Sequence, residues 1–326
     1  MTTRRAILAT PVLASTVLTS PARAQSDAWP SRAVTMIVPW AAAGSNDVTA
    51  RLVAPALEAR FRQPFVVENR PGGGGSVGMG LAMRARPDGL TVLISSASNH
   101  VFHPLISGEL GYDVREVFHG VAMLADVPNV LAVHPSVPAT NLTELLAWMR
   151  VQRGGVSYGS SGVGTSNHLA GELLRIRTGV DMTHVPYRGG GPALADLIGG
   201  TILVAVMNLP TLVPPAEAGR LRLIGVATSQ RVALKPDLPT IEEQGVPDFA
   251  VRSWAGAFVP RGTPRPIIEA LSVGFREALE TPLAQQRLRN IGSEPLFMDP
   301  ARTDEFVREE YARWTPLVRA ANIRAE

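Results

Sequence analysis

Cysteine is absent from the 326 residues, and lysine occurs only at Lys235. Without a thiol the chain can form no disulfide, no thiolate zinc site and no cysteine nucleophile. Lys235 is followed by Pro236 rather than Ser or Thr, which excludes a Walker-type phosphate loop. Beyond the N-terminal segment, no run approaches the roughly 18 apolar residues of a membrane-spanning helix. An excess of charge is missing as well. The formal net charge of +3 resides in Arg4, Arg5 and Arg23, so residues 25–326 are formally neutral. A neutral chain lacks the basic face that neutralises phosphates, and nucleic acid is therefore not an expected partner.

Signatures of catalysis are also missing. Gly159-Ser160-Ser161-Gly162-Val163 fails the G-x-S-x-G spacing of a nucleophile elbow whichever serine is tried. The histidines His100, His103, His119, His134, His168 and His184 are scattered, with no H-E-x-x-H and only a loop-borne His100-x-x-His103. They are expected to be structural, since a metal site needs convergent partners. Gly73-Gly74-Gly75-Ser76-Val77-Gly78 formally fits a dinucleotide fingerprint. The strand before it ends in polar Glu68-Asn69-Arg70-Pro71, however, and the acid expected about twenty residues later is missing. No catalytic residue, metal or cofactor is expected.

What is present begins with an export signal. Arg4 and Arg5 precede an apolar run from Ala6 to Leu18, and Ala22-Arg23-Ala24 is a small-x-small cleavage site that would leave Gln25 first. Thr3-Arg4-Arg5-Ala6-Ile7-Leu8 resembles a twin-arginine signal, although an ordinary secretory n-region reads the same way. A periplasmic protein follows in either case.

About 300 mature residues exceed what one core usually holds, which predicts two domains. Strands and helices alternate, the pattern of α/β architecture with largely parallel sheets. Strands are expected at 34–38, 65–68, 90–95, 120–124, 130–133, 156–159, 183–185, 202–206, 221–228 and 253–259. Helices are expected at 48–60, 142–150, 166–178, 191–198, 265–279, 282–291 and 300–321. Pro128, Pro135 and Pro138 mark a first crossing between lobes, and 239–257 a second. The division that results is 25–125 plus 253–326 for one lobe and 126–252 for an inserted one, with a ligand cleft between them.

Two strand-loop-helix segments stand out. Val156 to His168 runs V-S-Y-G-S-S-G-V-G-T-S-N-H, and Met36 to Asp47 runs M-I-V-P-W-A-A-A-G-S-N-D. The first turn of a helix leaves unpaired N–H donors at the positive end of the macrodipole, where carboxylates bind without a cationic side chain. Ser and Asn at these places serve equally well as ordinary N-caps. Two such sites in one chain suit a ligand with two acidic ends. Tyr187, in His184-Val185-Pro186-Tyr187-Arg188, either offers its hydroxyl to that ligand or belongs to the core with Arg188 in solvent.

Further motifs extend the picture: V-V-E-N-R-P-G-G-G-G-S-V-G from Val66, A-R-P-D-G-L-T-V-L from Ala85, H-V-P-Y-R-G-G-G-P-A from His184, L-P-T-I-E-E-Q-G-V-P from Leu238 and W-A-G-A-F-V-P-R-G-T-P from Trp254. Together with the two loops, their order resembles the extracytoplasmic solute receptors of tripartite tricarboxylate transport systems, the Bug or TctC-type proteins. The resemblance implies a two-domain periplasmic binding protein of type II, a Venus flytrap in which each lobe is a mixed sheet flanked by helices. It implies a non-enzymatic, monomeric receptor that holds a small carboxylate in the cleft and delivers it to the membrane permease subunits. Carried onto this chain, the ligand-binding residues are Trp40, Ala43, Gly44, Ser45, Asn46 and Asp47 in the first loop. The second loop supplies Gly162, Gly164, Thr165, Ser166, Asn167 and His168, with Ser96, Tyr187 and Asn208 as further wall residues. Ala43 stands where the family usually has glycine, and Trp40 where Phe is commoner. A sensory co-receptor for a carboxylate and an exported α/β hydrolase are the alternatives, the latter disfavoured by the missing motifs.

Overall fold

The computed structural model describes residues 29–42, 44–107 and 112–320. The export signal and Ala43 lie outside the described residues. The first part of the chain forms β1 (Val34–Val38), α1 (Ser45–Phe61), β2 (Phe65–Asn69), α2 (Ser76–Met83), β3 (Thr91–Ser96), the short α3 (His103–Ile106) and α4 (Val114–Val117), and the long β4 (Phe118–Val133). Then follow α5 (Leu142–Arg150), β5 (Val156–Ser160), α6 (Ser166–Thr178), β6 (Met182–Pro186), α7 (Gly190–Gly199), β7 (Val204–Asn208), α8 (Leu209–Glu217) and β8 (Arg222–Val226). The chain closes with β9 (Arg252–Pro260), α9 (Arg265–Glu280), α10 (Pro282–Asn290), β10 (Glu294–Met298) and α11 (Pro300–Ala320).

The strands run in the order β2-β1-β3-β9-β4-β7-β5-β6, with β10 and β8 also pairing β4. β1 pairs β2 and β3 in parallel, and β5 likewise pairs β6 and β7. β4 belongs to both halves. From Phe118 to Pro128 it lies antiparallel to β9, and from Asn129 to Val133 antiparallel to β7, with β8 against Val130–Val133. The fold is thus two α/β lobes, each a mixed sheet covered by helices, sharing one strand.

Where sequence and structure differ, proline is a recurring reason. Strands expected at 120–124 and 130–133 are one strand of 16 residues. Pro128 has no N–H to give a ladder, yet it sits at the last position paired with β9, where β4 exchanges one partner for another and a missing donor is tolerated. Helix α8 contains Pro210, Pro214 and Pro215 and was not expected; Pro210 falls in its first turn, where no donor is needed. Strand β10 and helix α2 were not expected either. β10 is half-buried throughout and shows no apolar alternation.

Packing fixes the loops that matter. Val53 and Leu57 of α1 join Leu271 and Phe275 of α9 in one core cluster. On the other face of the first lobe, α11 sets Trp314 edge-on to Phe102 at 5.1 Å and Phe306 against Trp254 at 6.0 Å. Each such fully buried side chain contributes about 1.5–3 kcal/mol through the apolar surface it removes from water. The glycine run is explained by packing rather than by a nucleotide. A Cβ on Gly75, at φ +96°, would collide with the Asn99 carboxamide, and one on Gly78 would come within 2.8 Å of Pro39 Cα and 2.9 Å of Arg70 O.

Candidate ligand-binding site

The second lobe supplies the better-defined wall. Strand β5 ends at Ser160, and the loop to α6 turns on Gly162 (φ +128°) and Gly164 (φ +73°). A side chain at Gly162 would meet Tyr187 O at 2.9 Å. Thr165 is the N-cap of α6, in extended conformation; its Oγ1 accepts from His168 N at 3.3 Å and donates to Gly162 O at 2.8 Å. Its hydroxyl therefore works within the protein. Thr165→Val is expected to cost about 1 kcal/mol, the usual worth of an N-cap, and so to lower the melting temperature in a thermal denaturation by roughly 2–4 °C.

Ser166 and Asn167 follow, both buried, and converge with Asn208 on one atom. Asn129 Oδ1 accepts from Ser166 Oγ at 3.2 Å, Asn167 Nδ2 at 2.8 Å and Asn208 Nδ2 at 3.0 Å. Asn129 carries no motif, and only its position beside Pro128 at the first crossing could have drawn attention to it. The Ser166 backbone N–H reaches into the other lobe, donating to Ser98 Oγ at 3.4 Å. Ser98 opens a π-helical turn, Ser98–Phe102, a local distortion common at functional sites. Next to it Ser96 Oγ donates to Asn99 Oδ1 at 3.2 Å, and Asn99 Nδ2 donates to Gly74 O at 3.0 Å.

The first lobe contributes the start of α1. Its N-cap is Gly44, which provides no side-chain acceptor for the first-turn N–H groups. Trp40 is half-buried and Ser45 partly exposed. Asn46 is 4% exposed, and its Nδ2 has no hydrogen-bond partner among the described residues. Asp47 is different in kind. Its carboxylate accepts from Arg51 Nε at 3.0 Å and from Asn69 Nδ2 at 3.0 Å, while the same Asn69 nitrogen donates to Trp40 O at 3.1 Å. Asp47 thereby clamps the loop to β2, with its charge matched by Arg51.

A layer of histidines backs the second loop. His168 and His184 stack at 3.9 Å, His184 Nε2 lies 2.6 Å from Ser160 Oγ, and Gly164 N donates to His168 Nδ1 at 3.3 Å. Accepting from an amide requires that Nδ1 carry no proton. Burial lowers His168 to about 4, against a smaller raising influence of Glu172, and burial together with the neighbouring His168 lowers His184 to about 3. Both rings are neutral in the folded protein. In the unfolded chain they take up protons near pH 6.5. Acidification from about 6.5 towards 3–4 therefore favours unfolding through these groups. Asp126 and Glu310, raised by burial, act in the opposite sense. His184→Gln is expected to flatten the fall in stability between pH 6.5 and 4, as measured by denaturant midpoints at each pH.

Tyr187 lies beside the second loop, its N–H donating to Ser160 O at 3.2 Å, but its hydroxyl turns elsewhere. Its hydroxyl donates to Asp196 Oδ2 at 2.7 Å, and burial and the Asp196 carboxylate together raise it to about 12. Arg188 is exposed. The hydroxyl is thus bonded within the protein, while Tyr187 itself is half-buried rather than part of the core. Among the described residues no group of three or more His, Asp or Glu side chains could hold a metal ion.

Two α/β lobes sharing one strand, with strand-loop-helix turns that carry neutral amides and hydroxyls, are the architecture of a two-lobe solute-binding protein. The chain belongs to the tripartite tricarboxylate transporter family receptors, whose family model matches residues 49–323. It is similar to Protein BugT of Bordetella pertussis, 34% identical over 304 residues and 92% of each chain. Among solved structures it is similar to an R. palustris protein with adipate, at TM-score 0.87 and 36% identity, covering 91% of this chain and 99% of that one. It is also similar to MatC from Rhodopseudomonas palustris with bound malate, at TM-score 0.81 and 31% identity, covering 89% of this chain and 100% of that one.

Proposed function

We propose that this receptor captures a small carboxylate between its lobes and delivers it to the permease subunits of a tripartite tricarboxylate-type transporter. The observation that carries the reading is the set of neutral side chains, Ser166 and Asn167 at the start of α6 and Asn208 at the end of β7, that converge on Asn129 Oδ1 beside the Ser166 N–H, which reaches Ser98 of the other lobe. Fixed N–H and O–H donors at a helix N-terminus suit a carboxylate and need no cation. Similar proteins solved with adipate and malate support the class.

In this reading Trp40, Ala43, Gly44, Ser45 and Asn46 line the first-lobe side with Ser96, while Gly162, Gly164, Ser166, Asn167 and Asn208 line the other. Asp47, Thr165, His168 and Tyr187 hold these walls from behind. The protein is exported, loses residues 1–24, and works as a periplasmic monomer whose lobes comprise 25–125 plus 253–326 and 126–252. The change of β4 partners between Pro128 and Asn129 supports that division. Lobe closure distinguishes liganded from empty receptor for a permease that touches both lobes.

A thermal-shift and calorimetric panel of mono-, di- and tricarboxylates beside neutral and cationic solutes tests the proposal. Stabilisation confined to carboxylates is expected, because a ligand that binds only the folded state raises its melting temperature. Binding of uncharged solutes alone would overturn it.

A further inference from the structure

Asn129 is fully buried where β4 passes from one lobe to the other, and its two ends face different parts of the molecule. On one side three hydrogen bonds, each of 2.8 Å, close a ring across both crossings. Ala227 N donates to Asn129 O, Val251 N to Ala227 O, and Asn129 Nδ2 to Val251 O. On the other side Oδ1 receives the three donors of the cleft wall, Ser166, Asn167 and Asn208. A carbonyl oxygen has two lone pairs. Three donors aimed at one such oxygen exceed what it can satisfy, and Ser166 Oγ makes the longest of the three contacts.

We propose that Asn129 is a positioning residue that ties the ligand wall to the interlobe crossover. It holds the first turn of α6 and the Asn208 amide in register with the strands about which the lobes turn, and it leaves a surplus donor for an arriving carboxylate. The proposal rests on the carboxylate reading of the cleft. Its physical core is that a buried amide is costly unless bonded, and Asn129 is bonded in both directions, to the crossing strands on one side and to α6 and Asn208 on the other. Truncation leaves the Asn167 and Asn208 donors and the Val251 carbonyl without this partner, so wall and crossover loosen together.

The test uses Asn129→Ala, Asn208→Ala and their combination in the intact protein, titrated with succinate, malate, glutarate and adipate. Amide hydrogen exchange is followed without ligand. Asn129→Ala should weaken the best-bound probe at least tenfold, and adding Asn208→Ala should weaken it less than twofold further, because the Asn208 amide has already lost its register. In the unliganded variant, exchange should quicken together at 166–169, 209–212 and around 227 and 251, with α9 unchanged. Additive losses, affinity within twofold of the parent, or exchange quickened only around 227 and 251 would overturn the proposal. A purely structural role would lower the melting temperature without the non-additivity. If the parent binds no carboxylate, the carboxylate reading fails, while the exchange pattern still decides for or against the tie between wall and crossover. Should Asn129→Ala fold poorly, Asn129→Ser, which keeps a hydroxyl there, carries the same comparison.

Discussion

Asn46→Leu is expected to weaken carboxylate binding by about tenfold to a hundredfold while leaving the unliganded protein at least as stable as its parent. Asn46 sits in the first turn of α1, 4% exposed, with an Nδ2 that finds no partner among the described residues. A buried donor left unpaired costs about 1–3 kcal/mol. Leucine has nearly the same shape and removes that cost, so the melting temperature should hold or rise. A bonded carboxylate, by contrast, loses a donor, and hydrogen bonds to charged groups are worth about 1.5–3 kcal/mol. The two effects have opposite signs, which a general packing defect could not produce. Calorimetric titration and a melting curve on the same preparation decide the matter. A variant that melts lower and binds as tightly as the parent would remove Asn46 from the site.

The largest expected loss of stability is at Gly171. This glycine of α6 faces the Tyr158 ring so closely that an added Cβ would collide with it. The ring cannot retreat, since it is fully buried and its hydroxyl donates its one proton to Glu172 Oε1 at 2.9 Å, with His168 O also 3.2 Å away. Overpacking a rigid interior costs about 1–3 kcal/mol and more where nothing yields. Gly171→Ala should therefore destabilise by about 3 kcal/mol, lowering the melting temperature by roughly 6–12 °C. Reducing the ring with Tyr158→Leu should recover part of the loss in the double variant, a coupling that independent sites do not show. Melting within 2 °C of the parent would refute the close contact. Because α6 carries Ser166 and Asn167 at its start, surviving Gly171→Ala protein should also bind more weakly.

How far the molecule could be read in advance depends on whether a feature is local. The strand at Val34–Val38 and the helices at Leu142–Arg150 and Ser166–Thr178 lie at the expected residues, because periodicity and flanking turns define them within a few positions. The Asp47–Arg51 pair is likewise local, four residues apart on one helix face. Asn129 shows the limit. Its partners Ser166, Asn167, Asn208 and Val251 stand 37 to 122 residues away, and beside Pro128 it looks like nothing more than a turn. Tyr187 is the converse: its partner Asp196 is only nine residues on, yet the spacing does not say whether the hydroxyl turns towards α7 or towards the cleft. The expected site residues divide accordingly. Small residues of the loops were expected from their local pattern, whereas their supporting contacts depend on which strands become neighbours.

The single strand β4, serving β9 along its first eleven residues and β7 along its last five, has a consequence for how such receptors can be recombined. Neither lobe is a segment that can be cut out at one point. A chimera that takes its inserted lobe from a relative must be joined twice, once within β4 after Pro128 and once ahead of β9, and both junctions must come from matched parents. Mismatched junctions would put a foreign twist into a strand that the recipient's own sheet still has to pair, so compatibility of the exchanged parts would be decided at the seam rather than in the pocket.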